Sequence, residues 1–178
     1  MAGMQEQWTR SPKSPASVSE CKYTGKKRDM TAPQFKRTFE SSLSNLSDCL
    51  SEFSHFCRTN VVLTGEHETA VKQLEFCVAE ALVNVVMHAC ERRDGIMVCV
   101  TCSKKSNELV VGIIDEGKSW PQQFVQSRHH QRIPINYNGL PENGLSWFIT
   151  LDLLDCVEYR RVDGFNLLQL TKKLTPVE

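Results

Sequence analysis

The sequence predicts an α/β fold: a two-layer α/β sandwich whose mixed, mostly antiparallel sheet has helices on one face. The strand-like segments in the second half of the chain form two hairpins, each around a short polar turn. Three further segments have the apolar spacing of helices, enough to cover one face of such a sheet. A length of 178 residues suits a single domain, and no internal repeat divides it.

Residues 1–33 differ in composition from the rest of the chain. They are rich in Ser, Pro and Lys and show no apolar period, which is typical of a flexible polar tail. We therefore place the folded domain at residues 34–178.

The first half of this domain is predicted to hold a strand and two helices. The segment QFKRTFES alternates like an edge strand. A helix is predicted next from apolar residues at helical spacing, namely Leu43, Leu46, Leu50, Phe53 and Cys57. A longer helix is predicted from an N-cap at Thr64 to near Arg93. Glu66 and Glu68 suit the positive end of its dipole.

The second half is predicted to hold two hairpins with a long loop and a helix between them. IMVCVTCS and ELVVGIID are joined by the polar turn KKSN. GLSWFITLDLLDCV has helical character, and VEYRR and FNLLQLTKKL flank an Asp-Gly turn. Residues 116–143 are mostly polar, and a loop of that length in a compact domain is generally a lid or a binding loop.

Charge and hydropathy argue against several classes of function. The 21 basic and 21 acidic residues give a formal charge of zero, so no global field favours nucleic acid or an anionic membrane. The sequence has no apolar run of about 18 residues and no apolar signal segment at its N-terminus. We expect a soluble cytoplasmic protein that contacts neither nucleic acid nor membrane.

The eight cysteines have the wrong spacing for a zinc site or a disulfide framework. Only Cys99 and Cys102 form a CxxC pair, and strand alternation would point them to opposite faces. A second close pair, which a tetrahedral site would need, is missing. We expect the cysteines to be reduced thiols that pack as small apolar side chains.

The long helix has a polar stripe among its apolar residues. Glu80, Asn84 and His88 are spaced by four residues, so they lie nearly above one another on an α-helix. Such a stripe can simply be the solvent-exposed face of an amphipathic helix. A buried carboxylate without a partner is costly, so Glu80 must face water, a cation or a ligand.

Three segments together indicate what Glu80 faces. EALVNVVMHA, VVGIIDEGKSWPQ and NGLPENGLSWFITLDLLDCVEYR resemble, in this order, the three nucleotide-binding boxes of the GHKL ATPase superfamily. Within it they are similar to the anti-sigma factor serine protein kinase family, small single-domain kinases with a histidine-kinase-like ATPase domain. The resemblance covers roughly Phe35 to Leu174. It implies the GHKL (Bergerat) ATP-binding fold, with ATP and Mg²⁺ as cofactors.

The resemblance implies a role for each polar residue in the first two boxes. Asn84 would hold Mg²⁺, and Glu80 would be the general base that takes the proton from the attacking hydroxyl. His88 is either a packing residue or a ligand contact. Asp115 would accept a hydrogen bond from the adenine amino group, with Gly117 allowing a close approach to the base. The alternative for Asp115 is an ordinary strand-to-loop turn.

The third box departs from the family pattern. Gly144 and Leu145 match it, but Ser146 stands where a further glycine is usual. The box would place phosphate at a helix N-terminus, and a Cβ at this crowded position puts turnover in doubt. In the preceding loop, Arg128 or Arg132 would reach the γ-phosphate as a bidentate donor. Alternatively, the loop charges, including His129 and His130, are only solvated.

The implied function is an ATP-dependent serine protein kinase and anti-sigma factor. It would phosphorylate an anti-sigma factor antagonist and sequester a sigma factor, and the family implies a homodimer. An alternative is an ATP-binding partner-switching module that acts by protein binding and barely turns over. A third interpretation, a structural protein without a nucleotide, would be favoured if nucleotide gave no thermal stabilisation.

Overall fold

A computed structural model of the protein describes residues 34–63, 65–93, 95–120, 128–129 and 145–174. The strands in these ranges are β1 (Gln34–Glu40), β2 (Met97–Lys105), β3 (Glu108–Asp115), β4 (Arg128–His129), β5 (Cys156–Val162) and β6 (Phe165–Lys173). The helices are α1 (Leu43–Asn60), α2 (Glu66–Asn84) and α3 (Leu145–Leu153), and α2 continues into a π-helical segment, Val85–Ala89. The predicted tail and most of the predicted lid lie outside these ranges.

The six strands form one sheet in the order β1-β2-β3-β6-β5-β4. Each pair of neighbouring strands is antiparallel. The hairpins β2–β3 and β5–β6 are those that the sequence predicts, and β1 is an edge strand as predicted. The two-residue β4 at the other edge was not predicted. The predicted fold class, an α/β sandwich with a largely antiparallel sheet, is confirmed.

The helices cover one face of this sheet. Alternate residues of β2 and β3 point into the main core together with the apolar faces of α1 and α2; among them are Val98, Val100, Val111 and Ile113. On the opposite face, the described residues form one small apolar cluster around Cys99 and Ile114. This arrangement is the two-layer architecture that hairpins and one-sided helices produce.

The two cysteines of the CxxC pair alternate across the sheet as the sequence predicts. Cys99 lies in the small cluster and Cys102 in the main core, so alternation does point the CxxC pair to opposite faces. All seven described cysteines are free thiols. Within the described ranges, no group of three His, Cys, Asp or Glu side chains is arranged to hold a metal ion.

The two long helices begin differently. Ser42 caps α1, since its hydroxyl accepts a hydrogen bond of 3.2 Å from the Asn45 amide. For α2, the predicted cap Thr64 is wrong: Gly65 occupies the cap position with φ 49° and makes no side-chain cap bond. Thr64 itself lies outside the described residues. The acidic first turn of α2 is as predicted.

The β5–β6 hairpin has the tight turn that its Asp-Gly pair predicts. Asp163 and Gly164 both have positive φ, 50° and 91°, as a type I′ turn requires. The turn pairs Val162 with Phe165 and so fixes the register of the whole hairpin.

None of the helices in the described ranges is long and apolar enough to cross a membrane.

Candidate functional site

Two of the three stripe residues lie on α2 at the margin of the core. Glu80 and Asn84 are partly exposed, whereas Ala81 and Leu82 between them are fully buried. The amphipathic spacing therefore places a carboxylate and an amide one helical turn apart at the surface, as the sequence predicts. Both side chains are accessible to a ligand.

The third stripe residue, His88, lies in the π-helical segment. The Cys90 amide donates to the Val85 carbonyl at 2.8 Å, and the Arg92 amide donates to the Val86 carbonyl at 3.0 Å. These wider turns interrupt the α-helical spacing after Asn84, so the predicted stack of three ends there. His88 is exposed. Single π turns inside α-helices occur frequently at functional sites.

The π segment ends in two left-handed residues. Glu91 and Arg92 have φ values of 53° and 54°, a conformation that side chains other than glycine adopt infrequently. The chain then turns away from the helix toward β2. The helix predicted to run to near Arg93 therefore has α geometry only to Asn84 and reaches Ala89 by the π turn.

Asp115 is the last residue of β3 and is buried, with 1% of its surface exposed. Its Oδ1 accepts hydrogen bonds from the Asn166 side-chain amide at 2.7 Å and from the Gly117 backbone amide at 2.8 Å. Burial raises the pKa of this carboxyl group to about 6, while both hydrogen bonds and the charge of Arg161 act to lower it. Among the described residues, no donor reaches Oδ2.

Asn166 on β6 lies opposite Asp115 in the sheet. Its Nδ2 donates to Asp115 and, at 2.9 Å, to the Lys118 carbonyl. Its Oδ1 accepts from the Tyr159 hydroxyl at 2.7 Å and from Arg161 Nη1 at 2.5 Å. The amide thus uses its full capacity of two donors and two acceptor positions.

The residues after β3 are attached to the β5–β6 hairpin by the same side chains. Arg161 Nη1 also donates to the Gly117 carbonyl at 2.9 Å. The Tyr159 hydroxyl accepts a hydrogen bond of 3.1 Å from the Trp120 backbone amide. The Trp120 ring packs edge-to-face on Trp147 of α3, with centroids 4.8 Å apart. Residues 117–120 are therefore held against the sheet and α3.

The same loop is attached to the end of the helical segment that follows α2. The Lys118 backbone amide donates to the Ala89 carbonyl at 2.7 Å, and the Lys118 side chain forms an ion pair with Glu91. A Cβ on Gly117 would lie 2.5 Å from the carbonyl carbon and oxygen of Ala89. Glycine is thus required here by the packing of loop on helix, and the first two boxes are in direct contact.

The third box is described only in part. α3 begins at Leu145 and ends at Leu153, so the helix predicted over residues 144–157 is shorter than expected, because Cys156 and Val157 belong to β5. Gly144 lies outside the described residues. Arg128 lies in β4, where its backbone pairs with Val157. Arg132 lies outside the described residues. The structure therefore brings the end of the first box, at Ala89, against the loop that follows Asp115. The ligand roles of Asn84, Asp115, Gly144, Arg128 and Arg132 stay predictions.

Sequence reasoning missed the residues that hold Asp115, namely Tyr159, Arg161 and Asn166. One signal was present, because the Asp-Gly turn fixes which residues of β5 and β6 face one another. The register between β3 and β6, which places Asn166 beside Asp115, joins strands that are far apart in the sequence. No local pattern encodes it.

The chain matches a known protein family. Residues 39–172 match a family model described as a histidine kinase-like ATPase domain. That range runs from the end of β1 to the end of β6 and includes Glu80, Asn84, Asp115 and Asn166. No curated protein matches the chain.

Proposed function

We infer the function from the premise that this chain belongs to the histidine kinase-like ATPase domain family. Membership implies a site for ATP, typically with Mg²⁺. We propose that the protein is a serine protein kinase and anti-sigma factor. It transfers the γ-phosphoryl group of ATP to a serine of an anti-sigma factor antagonist, and it sequesters a sigma factor. It acts in the cytoplasm, where ATP is abundant, as a homodimer.

The observation on which this proposal mainly depends is the environment of Asp115. The carboxylate is buried at the end of a strand, and the two donors from the described residues both bind Oδ1. Oδ2 is left as an acceptor for a ligand. A buried acceptor that is fixed in orientation suits the exocyclic amine of adenine, because a buried donor and acceptor each need a partner.

Glu80 and Asn84 supply the polar groups for the phosphate end. Asn84 offers an amide oxygen, a ligand type suited to Mg²⁺, which usually binds one or two protein groups together with substrate phosphates. When bound, Mg²⁺ neutralises charge on the phosphoryl group. Glu80, one turn away, takes the proton from the serine hydroxyl.

The remaining phosphate contacts follow the family pattern. The start of α3, with Gly144 and Leu145, presents backbone amides to the phosphates, and Arg128 or Arg132 binds the γ-phosphate. Ser146 in this box favours a second candidate function, an ATP-binding partner switch with little turnover. Serine keeps the backbone amide but adds a Cβ where the family usually has none.

Two measurements on the purified protein test the proposal. Thermal unfolding with ATP and Mg²⁺ should show stabilisation of about 2.7 kcal/mol at a ligand concentration 100 times Kd. Phosphotransfer from radiolabelled ATP to the antagonist protein of the same organism should then label serine. We expect Glu80→Gln to keep ATP binding and to lower phosphotransfer by ~10²–10⁴.

Glu68→Gln is the matched control for this substitution. Glu68 lies on the same helix, and its ion pair with Lys72 is exposed to solvent, so the control should keep wild-type phosphotransfer. ATP binding without phosphotransfer in the wild type would support the partner switch. Absence of stabilisation by ATP would exclude both functions.

A further inference from the structure

We propose that Tyr159 and Arg161 are positioning residues that act through Asn166. They hold the Asp115 carboxylate in the orientation and charge state that bind adenine, so this inference rests on the proposed ATP site. Tyr159 lies near the end of the third segment that resembles a nucleotide-binding box, and Arg161 lies just beyond it. Both lie on β5, two residues apart, and so on the same face of the sheet. Both donate to one atom, Asn166 Oδ1.

Arg161 determines which way the Asn166 amide points. A guanidinium group has donors and no acceptor, so the atom that faces Arg161 Nη1 at 2.5 Å must be the amide oxygen. The amide nitrogen then faces Asp115 Oδ1 at 2.7 Å. A flipped Asn166 would place its donors against Arg161 and its oxygen against the carboxylate. Arg161 therefore fixes the donor that occupies Oδ1.

Tyr159 favours the same orientation of the Asn166 amide. Its hydroxyl oxygen accepts from the Trp120 backbone amide at 3.1 Å, and its single proton goes to Asn166 Oδ1 at 2.7 Å. The hydroxyl thereby links the loop after β3 to the amide. The chain of hydrogen bonds runs from Trp120 through Tyr159 and Asn166 to Asp115, and each bond supports the next.

Arg161 also acts on the charge of Asp115. Burial raises the pKa of Asp115, and the positive charge of Arg161 opposes this effect, while the neighbouring Glu116 adds to it. On the helix side, the nearby Cys90 is a neutral thiol because burial raises its pKa. The hydrogen bonds from Asn166 and Gly117 lower the pKa of Asp115, and the charge of Arg161 lowers it further. Arg161 thus favours the ionised carboxylate, the state that accepts the adenine amine, both by its charge and by fixing the Asn166 donor.

Arg160 provides a matched control for Arg161. It is the adjacent residue on β5 and has the same charge, but alternation points it to the other face of the sheet. There it pairs with Glu158 at 3.6 Å, with 59% of its side chain exposed. Arg160→Gln removes one positive charge without touching the Asp115 network.

The first experiment measures the pKa of Asp115 by carboxyl-detected NMR in the protein without nucleotide. Arg161→Gln should raise this pKa by about one unit relative to Arg160→Gln. Arg161→Lys keeps the charge and should raise it less. Tyr159→Phe removes no charge, and we expect a smaller rise than for Arg161→Gln. Equal pKa values in Arg161→Gln and Arg160→Gln would overturn the inference, whether or not ATP binds.

The second experiment measures ATP affinity from pH 6 to pH 9. If the pKa of Asp115 rises by about one unit, Arg161→Gln should bind ATP about fivefold more weakly than Arg160→Gln at pH 6. The difference should fall to roughly twofold at pH 7, and ionisation should cause no loss at pH 9. The titration of ATP itself is common to both variants and cancels. A constant ratio across this range would overturn the inference, because a merely structural role does not depend on the ionisation of Asp115. Failure of the wild type to bind ATP at pH 8 would instead reject the proposed function, and the NMR comparison would still decide what Arg161 does.

Discussion

The Asp115 carboxyl group has a pKa of about 6 in the folded protein, above its ordinary value of 3.8. Between these two pH values the folded state binds the proton more tightly than the unfolded chain does. The stabilising contribution of the neutral acid is therefore fully present below about pH 4 and is lost as the pH rises through about 6. At neutral pH the ionised group costs folding free energy, a cost that the proposed role of Asp115 in binding adenine accounts for.

Replacing Asp115 with Asn should separate stability from binding. The amide keeps an oxygen for Asn166 and Gly117 but has no charge to bury. We expect Asp115→Asn to raise the free energy of unfolding by up to about 3 kcal/mol at pH 8, and by about half as much at pH 5. Urea titrations at the two pH values measure this. A variant no more stable than wild type at pH 8 would contradict the prediction.

The same substitution should weaken nucleotide binding. Loss of a hydrogen bond to a charged acceptor is worth about 1.5–3 kcal/mol, so ATP affinity should fall roughly 10- to 100-fold. Titration calorimetry with ATP and with purine riboside triphosphate, which lacks the exocyclic amine, measures the specificity of this loss. The loss should be greater for ATP. Equal losses would mean that Asp115 supports the loop and does not contact the base.

For Asn84 we predict a different effect, because its proposed partner is the metal ion. Asn84→Ala should leave nucleotide affinity nearly independent of Mg²⁺, whereas the wild type should bind more tightly as Mg²⁺ is added. Asn60→Ala, which removes an amide from the end of α1, is the control and should keep the Mg²⁺ response. The assignment fails if Asn84→Ala and wild type respond equally to Mg²⁺.

At the scale of elements, the helix and loop of the site are joined at Ala89 and Gly117. Gly117→Ala would place a Cβ 2.5 Å from backbone atoms of Ala89, so the loop and the helix end must separate. We expect a loss of about 1–3 kcal/mol in the free energy of unfolding and weaker ATP binding, measured by denaturant titration and calorimetry.

Gly112→Ala is the control for this effect. It lies on the same strand, and its Cβ would meet the Thr101 hydroxyl oxygen at 2.8 Å, a side-chain atom that can rotate away. We expect it to affect ATP binding less than Gly117→Ala does. The opposite order would show that contact between the two boxes is unimportant for the site.

Most elements were predictable from sequence because their signals are local. The β5–β6 hairpin follows from alternation around Asp163 and Gly164, and α1 from apolar spacing. The π segment was not predictable, because Val85–Ala89 has the same composition as the α-helix before it. Nor was β4, since two residues are too few for any period. The contacts of Asn166 depend on strand order, which only the folded sheet reveals.

At the scale of the whole molecule, the buried thiols report on global unfolding. Cys49, Cys57, Cys77, Cys90 and Cys102 are buried in the main core, and burial raises the pKa of Cys49 and Cys77 to about 12. These thiols should not react with Ellman's reagent in the native state. In a Cys21→Ser, Cys156→Ser variant, we expect labelling of the core to rise with urea together with loss of circular dichroism. Rapid labelling in native buffer would contradict the single packed core.

The contact between Trp120 and Trp147 has an optical consequence. Two indole rings with centroids 4.8 Å apart and planes inclined at 64° share their excited states, so the pair produces a circular dichroism couplet whose sign and amplitude depend on mutual orientation. One ring belongs to the loop that follows Asp115 and the other to α3. A movement of the loop against α3 would therefore alter the spectrum of the unlabelled protein, and stopped-flow dichroism would show how fast that movement occurs.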